Sequence, residues 1–188
     1  MALADVQGKF SPEEFRAKVQ AVVADGKASF ENRRRRSDGL AIDVQVDVYV
    51  IQRGQRKIMV DMWSEITARK QAEAQIRMLS MAVEQSPNTV LITDLEANTV
   101  YVNDAFTRIT GYSREEMIGR NANMLSSGRQ GAEFYAGMWQ ALTTTGNWAG
   151  EIWNRRKNGD IYVEQLTISA VRNAQGHIIR YAGMFADI

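Results

Sequence analysis

The chain of 188 residues has no cysteine and a single histidine, His177. The first absence excludes disulfides, thiolate metal sites and cysteine nucleophiles. It also favours the cytoplasm over the secreted space, where small domains rely on disulfides. The second leaves too few imidazoles for a histidine metal site or a Ser-His-Asp triad. Charge of one sign is missing as well: 23 Lys and Arg face 22 Asp and Glu, a net charge of +1. Nothing electrostatic therefore calls for nucleic acid. No apolar run approaches the roughly 20 residues of a membrane span, and the N-terminus lacks the charged-then-apolar order of a signal peptide. No membrane contact is expected of this chain. What remains is 45% apolar and 24% charged, a globular composition long enough for one sizeable domain or two small ones.

Two segments resemble each other. Residues 31–48 read ENRRRRSDGLAIDVQVDV and residues 152–169 read IWNRRKNGDIYVEQLTIS. Each is a strand, a basic turn ending in Gly, and an alternating strand. Asp38-Gly39 and Asn158-Gly159 mark tight turns, since Gly tolerates the positive φ that such turns need. A second match pairs Met62-Trp63-Ser64-Glu65-Ile66 with Met184-Phe185-Ala186-Asp187-Ile188. The offsets, 159 − 39 = 120 and 184 − 62 = 122, describe a repeated unit of about 120 residues.

The second copy is complete. Strands are expected at 88–94 and 99–103, joined by Glu96-Ala97-Asn98. A short helix over 104–110 closes at Gly111. Ser113 then caps another helix, with Glu116 three residues on as its reciprocal partner. Phe134, Met138, Trp139 and Leu142 give a helical period over 131–144. Three strands follow near 148–156, 161–171 and 178–187, the last two turned by Gln175-Gly176.

The first copy holds only the back half. Ser11 and Pro12 open a helix that runs to Asp25-Gly26. Strands follow near 27–35, 40–51 and 56–66. The missing front half implies a cut inside this domain in preference to a diverged stub. The Arg33–Arg36 run reads as a solvated hairpin end. The expected organisation is a half-domain over 1–66, a connector helix over 67–84 and a full domain over 85–188. On the connector, Ala72, Ile76, Leu79 and Val83 are spaced 4, 3 and 4. That stripe suits either packing on its own domain or a parallel dimer seam.

Residues 81–188 resemble a PAS domain. The landmarks are ITD at 92–94, YVNDAFTRITGYSREEMIGRNANML at 101–125, NRRKNGDIYVEQLTISAV at 154–171 and the closing Gly183–Ile188. The resemblance implies an α+β PAS fold: a five-stranded antiparallel sheet with helices over one face and a ligand pocket between. Glu65-Ile66-Thr67 looks like the family's junction from last strand to connector helix. GRNANMLSSG, YAGMWQAL and NWAGEIWNRRKNG carry a closer likeness to flavin-binding PAS redox sensors of the nitrogen-fixation and methane-monooxygenase type. FAD is therefore the implied cofactor, with FMN as its alternative. Light-sensing relatives place a reactive cysteine where Ala122 stands, so adduct photochemistry is excluded. Haem is disfavoured because helical positions 113–145 hold no His, and His177 reads as a solvated turn residue.

By family position, Asn154 hydrogen-bonds the flavin ring, and Asn121 and Asn123 lie toward the adenine or phosphate. Tyr162, Glu164, Leu166 and Ile168 alternate on one strand face, which the resemblance turns inward. Ile161, Val163 and Thr167 then form an apolar outer face suited to dimer contact. Trp139 and Trp148 are either pocket walls or plain core. Glu164 stands where the light-sensing relatives carry an amide. In an apolar pocket its pKa rises by desolvation, so it is a candidate for coupling protonation to flavin reduction. The plainer reading pairs it with Arg155, Arg180 or solvent. The chain is expected to be a non-enzymatic sensory module, a homodimer driving an absent output domain such as a histidine kinase or cyclic-dinucleotide enzyme. The alternative is a cofactor-free PAS relay and dimerisation element.

Overall fold

The computed structural model describes residues 12–187, so the Ser11 cap lies outside the described residues. The chain divides into two compact units, 1–77 and 78–188. The boundary falls inside the connector helix.

In the first unit, α1 (Pro12–Asp25) leads into β1 (Lys27–Arg35), β2 (Ala41–Arg53) and β3 (Arg56–Glu65), an antiparallel sheet in that order. Strand β2 alternates: Ile42, Val44, Val46 and Val48 are buried, and Val22 of α1 packs with them. Each such side chain taken out of water contributes roughly 1.5–3 kcal/mol, which makes β2 the centre of this core. The Asp38-Gly39 turn forms as its dipeptide requires. Gly39 has φ 87° and donates to the Arg36 carbonyl at 2.9 Å, and Arg36 N–H donates to Leu40 at 2.8 Å.

Helix α2 (Thr67–Glu84) has no buried residue. Its expected stripe is open: Ile76 is 66% exposed and Leu79 59%. Packing of this face on its own domain is not observed.

The second unit holds β4 (Thr89–Thr93), β5 (Thr99–Val102), α3 (Asp104–Thr110), α4 (Arg114–Met117), a single 3₁₀ turn over Ala122–Leu125, α5 (Ala132–Thr144), β6 (Asn147–Arg155), β7 (Ile161–Arg172) and β8 (Ile178–Asp187). The five strands make one antiparallel sheet ordered β5-β4-β8-β7-β6. The Ser113 cap forms reciprocally with Glu116. Asn103 caps α3 and does more. Its Oδ1 accepts from Phe106 N–H and Val90 N–H, and its Nδ2 donates to the Val83 and Asn88 carbonyls. One fully buried amide thus ties the end of α2, β4 and α3 together.

Two apolar clusters place the helices on a single face of the sheet. Phe106, Met117 and Leu125 pack on Tyr162 and Phe185, while Met138 and Leu142 pack on Tyr181. On the other face Ile161 and Thr167 are exposed and Val163 is half-buried.

Candidate ligand cavity

Between the two clusters the helices and the sheet do not meet. A cavity of about 410 Å³ remains, within the roughly 300–1,000 Å³ of small-molecule sites. Its sheet wall is Leu91 and Thr93 of β4, Ile152 and Asn154 of β6, Glu164, Leu166 and Ile168 of β7, and Tyr181, Gly183 and Phe185 of β8. Met138, Trp139 and Leu142 of α5 close the helical side, and Asn121, Asn123, Leu125 and Ser126 come from the 3₁₀ turn and its flanks.

The wall is mostly apolar, which makes one polar pair prominent. Asn154 and Glu164 are buried, at 6% and 1% exposure, on neighbouring strands. Asn154 Nδ2 donates to Glu164 Oε1 at 2.9 Å. Arg155 donates to the Ser127 carbonyl and Arg180 to that of Ile179. Burying a carboxylate and an amide costs several kcal/mol unless they are satisfied.

The mouth is built from loop geometry. Asp94 Oδ1 accepts from the N–H groups of Glu96 and Asn98, and Asn98 Nδ2 donates to Asp94 Oδ2. Burial pushes this carboxyl up, but the Asn98 and Glu96 hydrogen bonds outweigh it and hold Asp94 below its ordinary 3.8. The turn forces Ala97 to φ 65°. Its carbonyl accepts from Ala122 N–H at 2.9 Å, and Asn121 Nδ2 donates to the Glu96 carbonyl at 2.7 Å. The β4–β5 turn and the 3₁₀ turn are thereby fastened together, with Asn121 half-buried and Asn123 exposed at the rim.

Five sequence-proposed residues line this cavity: Asn121, Asn123, Trp139, Asn154 and Glu164. Trp139 stands edge to face with Tyr181 at 5.4 Å. Two do not line it. Tyr162 faces inward but belongs to the solid cluster with Phe106 and Met117, with the Arg156 guanidinium 4.1 Å from its ring centre. Trp148 packs edge to face on Phe134 at 5.6 Å and lies back over Gly150. Both are core residues. Sequence reasoning passed over Glu96, Ser126 and Tyr135, which also line the cavity. Ser126 Oγ and the Tyr135 hydroxyl lie 3.1 Å apart in a hydrogen bond; the positive φ at Ala97 has no signal in residue type. His177 sits exposed in the β7–β8 turn, as expected.

The second unit is thus a five-stranded antiparallel sheet with helices over one face and a ligand-sized cavity between. Residues 87–188, more than half the chain, match the PAS domain family, and the chain belongs to it. It is 38% identical over 106 residues to a nitrogen fixation regulatory protein of Klebsiella oxytoca, a match covering 56% of this chain and 21% of that protein. The chain thus spans about a fifth of that relative. Among solved structures, a PAS domain from Colwellia psychrerythraea aligns with TM-score 0.58 and 23% identity, over 61% of this chain and 97% of that one. A light-oxygen-voltage domain studied with a flavin analogue aligns with TM-score 0.52 and 24% identity, over 61% and 84%. Both share the fold. No helix among the described residues is long and apolar enough to cross a membrane.

Proposed function

We propose that the second unit holds a flavin, FAD by the sequence resemblance, and relays its redox state to an output domain outside this chain. The carrying observation is the Asn154–Glu164 pair, hydrogen-bonded and buried on a mostly apolar cavity wall. Similarity to a nitrogen fixation regulatory protein, and to a light-oxygen-voltage domain studied with a flavin analogue, supports this reading.

Asn154 and Glu164 would meet the ring's polar edge, since an amide offers donors and an acceptor and a carboxyl can change protonation state. Trp139, Leu166 and Ile168 would supply flat apolar walls, and Asn121 and Asn123 the rim where the cofactor's tail leaves. A bound flavin supplies reversible electron and proton uptake. The protein's part is to exclude water, orient the ring and present Glu164 as the group that answers the change. The first unit is assigned to a partial second PAS copy, and a homodimer and a histidine kinase or cyclic-dinucleotide enzyme to its partners.

The absorption spectrum of the purified protein tests the proposal: flavin bands are expected. Asn154→Ala and Trp139→Ala lower flavin occupancy while circular dichroism stays native. A colourless protein that also takes up no added FAD would leave the cofactor-free relay. Glu164→Gln removes the ionisable group and keeps the shape. If its reduction midpoint follows pH as wild type does, Glu164 is not the proton-coupled residue.

A further inference from the structure

Strand β3 pairs with β2 along one edge, and among the described residues no strand pairs with its other edge. All ten of its residues are exposed. They include Ile58, Val60 and Met62 on one face and Met59 and Trp63 on the other. A long open edge with large apolar side chains on both faces is a template for pairing, and folded proteins normally cover or blunt it. The second unit shows what such a strand accepts. Its third strand after the helix, β8, lies inside the sheet and takes β4 antiparallel on the corresponding side, from Thr89↔Phe185 to Thr93↔Tyr181.

We propose that β3 pairs antiparallel with β3 of a second copy of this chain, with Met59 on the two-fold axis. The three-stranded sheets then join into one of six strands. Register follows from symmetry and charge. A two-fold axis normal to a sheet keeps each face on its own side, so some residue must stand opposite itself. With Asp61 there, two carboxylates collide. With Val60 there, Lys57 meets Trp63 and Asp61 meets Met59, which leaves both charges without a partner across the seam. With Met62 there, Asp61 meets Trp63 and Met59 meets Glu65. With Met59 there, Lys57 of each copy stands opposite Asp61 of the other, twice, and Ile58 stands opposite Val60 on the other face. Directly opposed pairs of opposite charge and of apolar side chains are what stabilise adjacent strands. Arg34, 3.9 Å from Asp61, adds a second cation on the same face. The inference is independent of any cofactor.

The lack of native cysteine makes the register directly readable. Met59→Cys introduces one thiol per chain, and residues opposed on the axis lie about 4.5–5.5 Å apart at Cα, within disulfide reach. Val60→Cys faces Ile58 of the other copy, two positions off its own mate. Under mild oxidation Met59→Cys is expected to give covalent dimer at least about tenfold faster than Val60→Cys, because only the former meets disulfide geometry. Lys57→Glu, added to Met59→Cys, slows it by placing two carboxylates opposite each other. Circular dichroism checks each fold. Equal rates at 59 and 60 overturn the register. Dimer from Ile76→Cys with none from Met59→Cys overturns the contact in favour of α2. A monomeric wild type that binds a synthetic peptide of residues 87–103 overturns it in favour of a strand from elsewhere.

Discussion

Both units contain a helix followed by three antiparallel strands in the same order, yet one closes its inner face and the other keeps a cavity there. At an offset of 120, Val22 of α1 corresponds to Leu142 of α5, and both are buried. Strand pairing corresponds too: Arg34↔Ile42 in the first unit, Asn154↔Tyr162 in the second. The difference lies in side chains on that shared frame. Val44 stands where Glu164 stands, and Arg34 where Asn154 stands. In the first unit Ile42, Val44, Val46 and Val48 make a dry face packed by Val22. In the second, Tyr162, Glu164, Leu166 and Ile168 run from solid core into an open wall. One backbone register therefore serves a closed core or a ligand cavity, and the strand positions at 44 and 164 separate them.

The sharpest way to break this contrast is to exchange those positions. Val44→Glu puts a carboxylate into that apolar face, and Arg34→Leu in the same chain removes the cation that stands where Asn154 stands. An uncompensated buried charge costs roughly 3–5 kcal/mol, enough to unfold the first unit. Trp63 is the only tryptophan in that unit, whereas Trp139, Trp148 and Trp153 lie in the other. Denaturant titration should move only the Trp63 transition. A double variant as stable as wild type would show that the face is not closed.

Asn103→Ala probes what the second unit has and the first lacks, the amide joining α2, β4 and α3. Loss of the cap costs about 0.5–2 kcal/mol, and each buried partner left unsatisfied adds about 1–3 kcal/mol if no water reaches it. The expected outcome is a loss of about 3 kcal/mol in the second unit, with the Trp63 transition unmoved. A loss below about 1 kcal/mol would mean that the four hydrogen bonds are replaced by solvent.

What the sequence showed of these units, and what it hid, has a physical pattern. Dipeptides fix turns locally, so Asp38-Gly39, Asn158-Gly159 and the Ser113 cap were all legible. Alternation fixes which way a side chain points, so the inward set on β7 was legible as well. Alternation does not say whether a helix or a void lies opposite. Tyr162 and Glu164 face the same way, but one meets Phe106 and Met117 and the other the cavity. Trp148 was unreadable for a related reason. A Cβ at Gly150 would stand 2.9 Å from its ring, so a missing side chain two residues on sets where the indole lies. The exposure of β3 was hidden too, because its alternating residues look the same with or without a neighbouring strand.

The twin turns sharpen the comparison at smaller scale. Gly39 has φ 87° and Gly159 φ 97°, and an added Cβ at either would touch nothing within 4 Å. The cost of Gly39→Ala and of Gly159→Ala is then backbone strain alone, about 1–2 kcal/mol each. Each variant should lower the midpoint of its own unit and leave the other's in place. Unequal losses would mean that the two turns, alike in dihedral and hydrogen bonding, differ in how their units bear strain.

The smallest expected effect concerns how the second unit holds the end of α2. Tyr101 donates its hydroxyl proton to Glu84 at 2.8 Å, and Arg114 donates to both Glu84 carboxylate oxygens at 2.9 Å. Burial pushes the Tyr101 phenol up, and the Glu84 hydrogen bond and charge push further. Arg114 opposes them, and the result is about 12 against an ordinary 10.0. A raised pKa means that the folded state holds the proton more tightly than the unfolded chain. The contribution to stability is therefore complete below pH 10 and disappears as pH rises from 10 to about 12. Tyr101→Phe should delete the tyrosinate step at about 12 and flatten the alkaline loss of second-unit stability. Arg114→Gln should delay the step, because it removes the one cation favouring the phenolate. If the tyrosinate step at about 12 survives Tyr101→Phe, the Glu84 contact does not hold this proton.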